Sequence, residues 1–338
     1  MIGILLAISV SGIAAWVLTG YLRQRFQQRW LDIPNDRSSH TQPTPRGGGL
    51  GFFIAFLGSA LGAWIGQQLW PALFVPLFPQ AIAVAAVILP LAMVGLADDR
   101  YNLSAKVRYV VQLSAAAIAV LSFGLVPQPW GPPPLPGATI LLGAVTLIGF
   151  TALVNFYNFM DGLDGLVASV TAAQLAFLAV YLQQPLWWLM VAALLGFLRW
   201  NWSPAKIFMG DVGSTVLGAC VAIALIAPTA EPSRSWAAIA ITLPLTADAI
   251  YTLIRRLLKG ENIFQAHRTH LYQRLQQSGW SHRQVAGAYL GFTAIVAGLI
   301  WFGQGTGSLV AIGLSITLIF AGERYLHQQT ETTESASL

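Results

Sequence analysis

Eleven apolar stretches, most of them roughly 15–20 residues long, divide this chain and leave little room for any fold but a bundle of membrane helices. Crossing the hydrocarbon core takes about 20 apolar residues in a helix, and the first stretch, IGILLAISVSGIAAWVLTGYL, meets that length. Hydropathy and Gly/Pro punctuation predict helices over 3–21, 49–66, 81–97, 108–126, 138–156, 167–182, 186–200, 213–229, 236–254, 285–303 and 308–325. Only 9% of the residues are charged, where a soluble domain carries about a quarter. The expected fold class is therefore all-α: a polytopic membrane bundle of about eleven transmembrane helices. Residues 1–325 form a single integral membrane domain, and the polar tail 326–338 is expected to be disordered. Basic residues follow the first stretch and do not precede it, so it reads as a retained helix and not a cleaved signal. The lone cysteine, Cys220, lies in an apolar run and reads as packing; no disulfide or zinc framework is suggested.

Lys and Arg give the orientation. Numbering the loops alternately and counting the adjoining helix ends with them, 17 of the 18 basic residues fall on one set (22–48, 98–107, 157–166, 200–212, 255–284 and the tail), and Arg234 alone falls on the other. The positive-inside rule puts that first set in the cytoplasm, with the N-terminus outside and the C-terminus inside. The net charge of +5 follows from this asymmetry and needs no nucleic-acid partner. Most acids share the same side: Asp32, Asp36, Asp98, Asp99, Asp161, Asp164, Asp211 and Glu261. Carboxylates are costly at mid-membrane and far less so at the interface. The polar chemistry is thus expected at one surface of a plasma (inner) membrane.

Five stretches carry that chemistry. DIPNDRSSHTQPTPRGGGLGF (32–52) offers His40, Arg46 and three glycines whose backbone N–H groups could approach an anion. GLADDRYNLSAKVR (95–108) sets Asp98 and Asp99 side by side, a pair that repels unless a proton or cation intervenes, with Lys106 close behind. NFYNFMDGLDGLVAS (155–169) spaces Asn155, Asn158 and Asp161 three apart on one face of a helix end, followed by Asp164. NWSPAKIFMGDVGS (201–214) brings Asn201, Phe208 and Asp211 to the start of a helix. GENIFQAHRTHLYQRL (260–275) puts His267 and His270 three apart on an expected helix, with Arg268 between them. Each alone also reads as a cap, a turn or an interfacial basic helix. Together, on one face, they suit divalent-cation chemistry on a phosphate next to lipid.

PTPRGGG, DDR, NFYNFMDGLDGL, FMGDVGS and the histidine loop, in this order, resemble the polyprenyl-phosphate N-acetylhexosamine-1-phosphate transferases, the MraY/WecA-like glycosyltransferase family 4. The resemblance covers about residues 32–275 and the helix layout. HRTHLYQRL looks more like the WecA/WbpL-type branch, which starts O-antigen and other surface polysaccharides. It implies transfer of a HexNAc 1-phosphate from a UDP-sugar to polyprenyl phosphate, with loss of UMP. It further implies Mg²⁺, or Mn²⁺ in its place, on Asp211 and Asp98. Catalytic roles then fall to Asp98, Asp99, Asp161, Asp164, His267 and His270. Substrate contacts fall to His40, Arg46, Lys106, Asn155, Asn158, Asn201, Phe208 and Arg268, with Asn201 and Phe208 near the uridine. Asp248 sits where relatives also carry an acid, with no role assigned. The implied partners are the UDP-HexNAc, the polyprenyl phosphate and the bilayer; a homodimer is open to it. The competing class is a transporter or flippase, but that would place its polar site near mid-membrane.

Overall fold

The structure, a computed structural model, describes residues 2–28, 30–34, 39–40, 42–73, 78–128, 136–229, 231–263, 265 and 267–336. Asp36 lies outside the described residues. Helices dominate: α1 (Ile2–Phe26), α2 (Gly49–Leu69), α3 (Phe78–Tyr101), α4 (Ala105–Phe123), α5 (Pro136–Met160), α6 (Leu166–Tyr181), α7 (Trp187–Asn201) and α8 (Asp211–Ile226). There follow α9 (Pro232–Ile239), a 3₁₀ turn (Ala240–Thr242), α10 (Leu243–Leu258), α11 (Leu271–Gln277) and α12 (His282–Ala336). A two-residue antiparallel ribbon pairs β1 (Leu31–Asp32) with β2 (Thr44–Pro45). Among the described residues seven helices are long and apolar enough to cross a membrane, and the protein is an all-α polytopic membrane bundle. Without water to satisfy them, backbone groups in lipid must bond within their own helix, which is why every apolar stretch is helical.

All eleven apolar stretches fall on helices, with three differences in detail. The stretch 236–254 is split by the 3₁₀ turn into α9 and α10. The last two stretches are arms of one helix, α12, broken at Gln304 (φ 47°, ψ −123°), and they fold back so that Trp280 Nε1 donates to the Tyr325 hydroxyl at 3.2 Å. The tail expected to be disordered continues α12 to Ala336. A helix already nucleated adds residues at little cost, and His327 and Glu331 pair one turn apart at 3.2 Å.

α8 is the centre of the bundle. Every residue from Val212 to Ile226 is buried, and the helix packs against α3 and α5. It is apolar all round, as a helix enclosed by others must be. Its first residue is Asp211, so the most rigidly packed helix presents a carboxylate at its polar end. The helix ends bearing the five sequence stretches meet at that same end of the bundle.

Candidate active site

The junction is stitched by backbone. Phe208 N–H donates to Pro45 O (2.8 Å), Gly48 N–H to Phe208 O (2.8 Å) and Gly49 N–H to Met209 O (2.9 Å). Gly48 and Gly49 of PRGGG therefore do not hold their amides free for an anion, as their sequence had suggested. They permit close packing: a Cβ on Gly49 would come within 2.6 Å of Gly213 Cα, joining α2 to α8.

Four helix ends bring charges together there. Asp98, at the end of α3, accepts from Leu103 N–H (2.7 Å) and from Arg108 Nη1 (2.7 Å). Asp99 accepts from the N–H of Asp211 (3.0 Å) and of Val212 (3.4 Å), the first two residues of α8. Gly210, just before them, has φ +76°, and a Cβ there would lie 2.5 Å from Asp99 Oδ2. Only glycine fits on both counts, which explains the GD pair of FMGDVGS. Arg46 bridges the acids, with Nε 2.8 Å from Asp99 and Nη2 2.7 Å from Asp211. Arg108 Nη1 lies 3.5 Å from Asp211 Oδ2. Asn158 donates to Asp211 at 3.4 Å and accepts from the Ser214 hydroxyl at 2.7 Å.

Of these groups Arg46, Asn158 and Asp211 line a cavity of about 390 Å³, with Asp161 beside them in the lining and Asp164, Asn201, Phe208 and His282 making up more of it. His40 also lines it, its ring 4.7 Å edge-on from that of Phe208. Asn201 shapes the wall: its amide oxygen accepts from Gly165 N–H (3.1 Å) and its NH₂ donates to Ile207 O (3.0 Å). Asp164 accepts from Ala205 N–H (3.1 Å) and lies 3.2 Å from His282 Nδ1.

The electrostatics divide the cavity. Burial pushes the Asp161 carboxyl up to about 7, and the negative charges of Asp211, Asp99 and Asp164 add to the effect while Arg46 opposes it. Burial also works against ionisation of Asp164, but His282 and the Ala205 N–H outweigh it and hold its carboxyl below the ordinary value. Burial disfavours the Arg46 cation, yet Asp99 and Asp211 more than restore it. Burial, with His270, Arg256 and Arg255 nearby, lowers His267 to about 4, so it is neutral at pH 7.

Other expected residues lie elsewhere. Lys106 is exposed on α4, and it is Arg108 that reaches the acids, although neither lines the cavity. Two residues along a helix point to nearly opposite sides, so only one of the pair can face the acids. Asn155 exchanges hydrogen bonds with Gln112 (2.7 and 3.3 Å), locking α5 to α4. Arg268 reaches Ser39 Oγ at 3.2 Å, at the cavity rim. His267 and His270 precede α11 and do not sit on a helix, as their spacing had suggested, and neither lines the cavity. Their rings lie 4.9 Å apart, and His270 is buried against Asp248. Sequence reasoning missed Arg108 and His282 as site residues. Arg108 was masked by the nearer Lys106, and His282 stands alone, outside any motif.

Among the described residues, no three Asp, Glu, His or Cys side chains already form a metal cluster. The donor chemistry nevertheless fits Mg²⁺, which takes one or two carboxylates and completes its shell with water and substrate phosphate. All the donors are hard oxygens, and among the described residues the acids Asp98, Asp99 and Asp211 pair with two guanidinium groups, those of Arg46 and Arg108, with Asp161 close by.

A cluster of acids and arginines at the polar end of an apolar bundle suits phosphate chemistry beside a membrane. Comparison with known proteins names the class: residues 81–229 match Glycosyl transferase family 4. The chain is 32% identical over 301 residues to a probable undecaprenyl-phosphate N-acetylglucosaminyl 1-phosphate transferase of Bacillus subtilis, covering 84% of this chain and 80% of the relative. It is 30% identical over 345 residues to a decaprenyl-phosphate N-acetylglucosaminephosphotransferase of Mycobacterium leprae (90% and 80% covered). It is 29% identical over 280 residues to an undecaprenyl-phosphate alpha-N-acetylglucosaminyl 1-phosphate transferase of Yersinia pestis (75% and 71% covered). The chain belongs to the polyprenyl-phosphate N-acetylhexosamine-1-phosphate transferases of this family.

Proposed function

We propose that this protein transfers N-acetylglucosamine 1-phosphate from UDP-GlcNAc to undecaprenyl phosphate, releasing UMP and forming the lipid diphospho-sugar that starts a cell-envelope polysaccharide. The observation that carries this reading is the ion-paired convergence of Asp98, Asp99, Asp211, Arg46 and Arg108 at the polar end of the bundle, where Arg46 and Asp211 line a cavity. All three relatives above are named for N-acetylglucosamine, which supports that donor. The gathering of 17 of the 18 basic residues supports eleven crossings with this end in the cytoplasm, where a UDP-sugar is found.

In this mechanism a phosphate oxygen of the lipid attacks the β-phosphorus of the donor. The bond from that phosphorus to the bridging oxygen breaks, and UMP leaves with the electron pair. A phosphate monoester has its second pKa near 6, so the acceptor is already mostly a dianion at neutral pH and a strong base is unnecessary. Arg46 and Arg108 offer fixed guanidinium groups where charge gathers on the diphosphate. Asp98 and Asp99 orient those arginines, and Asp99 also anchors the start of α8. Asp211 and Asp98 would hold Mg²⁺, which supplies charge neutralisation of the diphosphate and the leaving UMP. Phe208 supplies a ring for the uracil, and Asp164, fixed by His282, lies beyond it.

The test is UMP release by the purified protein with a panel of UDP-sugars. Release is expected only with undecaprenyl phosphate and Mg²⁺ both present, and fastest with UDP-GlcNAc. Lipid-independent release, or none from any UDP-sugar by folded protein, would sink the reading.

A further inference from the structure

Asp248 is a carboxylate that the transfer chemistry does not use. It lies in α10 with only 2% of its surface exposed. An acid inside a membrane helix is costly unless its oxygens are bonded. Here four donors meet them. Leu271 N–H reaches Oδ1 at 2.8 Å and Tyr272 N–H reaches Oδ2 at 3.0 Å. The Tyr289 hydroxyl donates to Oδ2 at 2.7 Å and the Thr252 hydroxyl to Oδ1 at 3.1 Å. His270 Nδ1, also buried, lies 3.6 Å from Oδ1.

The two amides belong to the first residues of α11, so the carboxylate fixes where that helix starts and how it is turned. This is also why His270 stays outside it. α11 in turn touches the cavity wall. The Tyr272 hydroxyl donates to Phe159 O at 3.0 Å, at the end of α5. A Cβ on Gly162 would collide with that hydroxyl and come within 3.3 Å of Gln273 Nε2. Gln273 lines the donor cavity beside Asp161.

We propose that Asp248 is a positioning residue for the transfer reaction: it holds α11 so that Tyr272 and Gln273 brace the 161–165 turn and keep Asp161 at the cavity wall. The proposal rests on the transferase reading. An aspartate is required because all four hydrogen-bonding partners donate. The two hydroxyls can rotate, but the backbone N–H groups cannot become acceptors. Asparagine would set an NH₂ against one of them, and glutamate would push its carboxylate one methylene into α11.

The test compares D248N, Y289F and Y272F in detergent-purified protein. The readouts are donor KM and kcat at saturating lipid, amide hydrogen exchange over 270–277, and the melting midpoint. D248N is expected to raise donor KM about tenfold and to speed exchange at Leu271 and Tyr272 by at least about tenfold, as loss of a charged hydrogen bond implies. Y289F removes one hydroxyl but leaves both amide bonds, so it lowers the melting midpoint without moving donor KM. Should D248N fail to fold, Y272F carries the test: it cuts the brace to Phe159 O, leaves every bond to Asp248 intact, and should still raise donor KM. Folded D248N with wild-type donor KM and wild-type exchange would overturn the proposal, as would Y272F with unchanged donor KM. A wild-type protein that releases no UMP would defeat the transferase reading instead, while the exchange data would still decide whether Asp248 holds α11.

Discussion

Asp248 and the Asp99–Asp211 pair are both carboxylates withdrawn from water, yet their partners differ in kind. Asp248 is surrounded by backbone N–H and hydroxyl donors from α10, α11 and α12, and both of its oxygens are bonded. Asp99 and Asp211 are both met by guanidinium groups from other segments, Asp99 in addition to the first two amides of α8, and Asp211 faces open volume. The first arrangement sets a helix in place. The second stores charge beside a cavity, with more acids than bases. Burial alone therefore does not separate a reacting group from a positioning one. The kind of partner does, together with whether the group faces space that a substrate can fill.

The largest expected effect tests the open cluster. D211N should lower turnover about 10³-fold, the scale of losing a central electrostatic group, with little change in melting midpoint. An Asp211 that acted as Asp248 does would instead lose stability first. R46Q should follow at about 10²-fold, because one guanidinium serves two acids. Steady-state UMP release with a melting curve for each variant separates these outcomes.

The other end of the cavity should respond more weakly. H282Q is expected to raise donor KM about tenfold, since it loosens Asp164 without touching the arginines. A pH series sharpens the point. The folded-state pKa of Asp164 is depressed, so below the ordinary carboxylate value the folded protein binds fewer protons there than the unfolded chain, and stability rises with pH across that window. This contribution is complete above pH about 4 and is lost as pH falls through the folded value. The gap in melting midpoint between wild type and D164N should therefore be widest near neutral pH and close at the acid end. A constant gap from pH 7 to pH 3 would contradict the assignment.

The fold was largely legible because hydropathy over some 20 residues is a strong, local signal, and lipid admits only helices there. The helix following Asp211, the glycines on either side of that residue and the gathering of five polar motifs on one face were readable from the sequence, whereas the pairing of Arg46 with Asp99 and Asp211 was not. Legibility failed where a role depends on which way a side chain points. Lys106 and Arg108 are two residues apart, and only the structure shows Arg108 turned to Asp98. His282 lies 118 residues from Asp164, with no spacing to announce it. The histidine loop looked helical because its spacing was right. The start of α11 is set by Asp248, a long-range contact that local sequence does not encode.

The central claim is that the transfer centre consists of Asp98, Asp99 and Asp211 with Arg46 and Arg108. Its most direct test is UMP release from UDP-GlcNAc by R108Q and K106Q, with undecaprenyl phosphate and Mg²⁺ supplied. R108Q should fall about 10²-fold, while K106Q stays within about threefold of wild type. A K106Q enzyme that loses activity while R108Q keeps it would contradict the account.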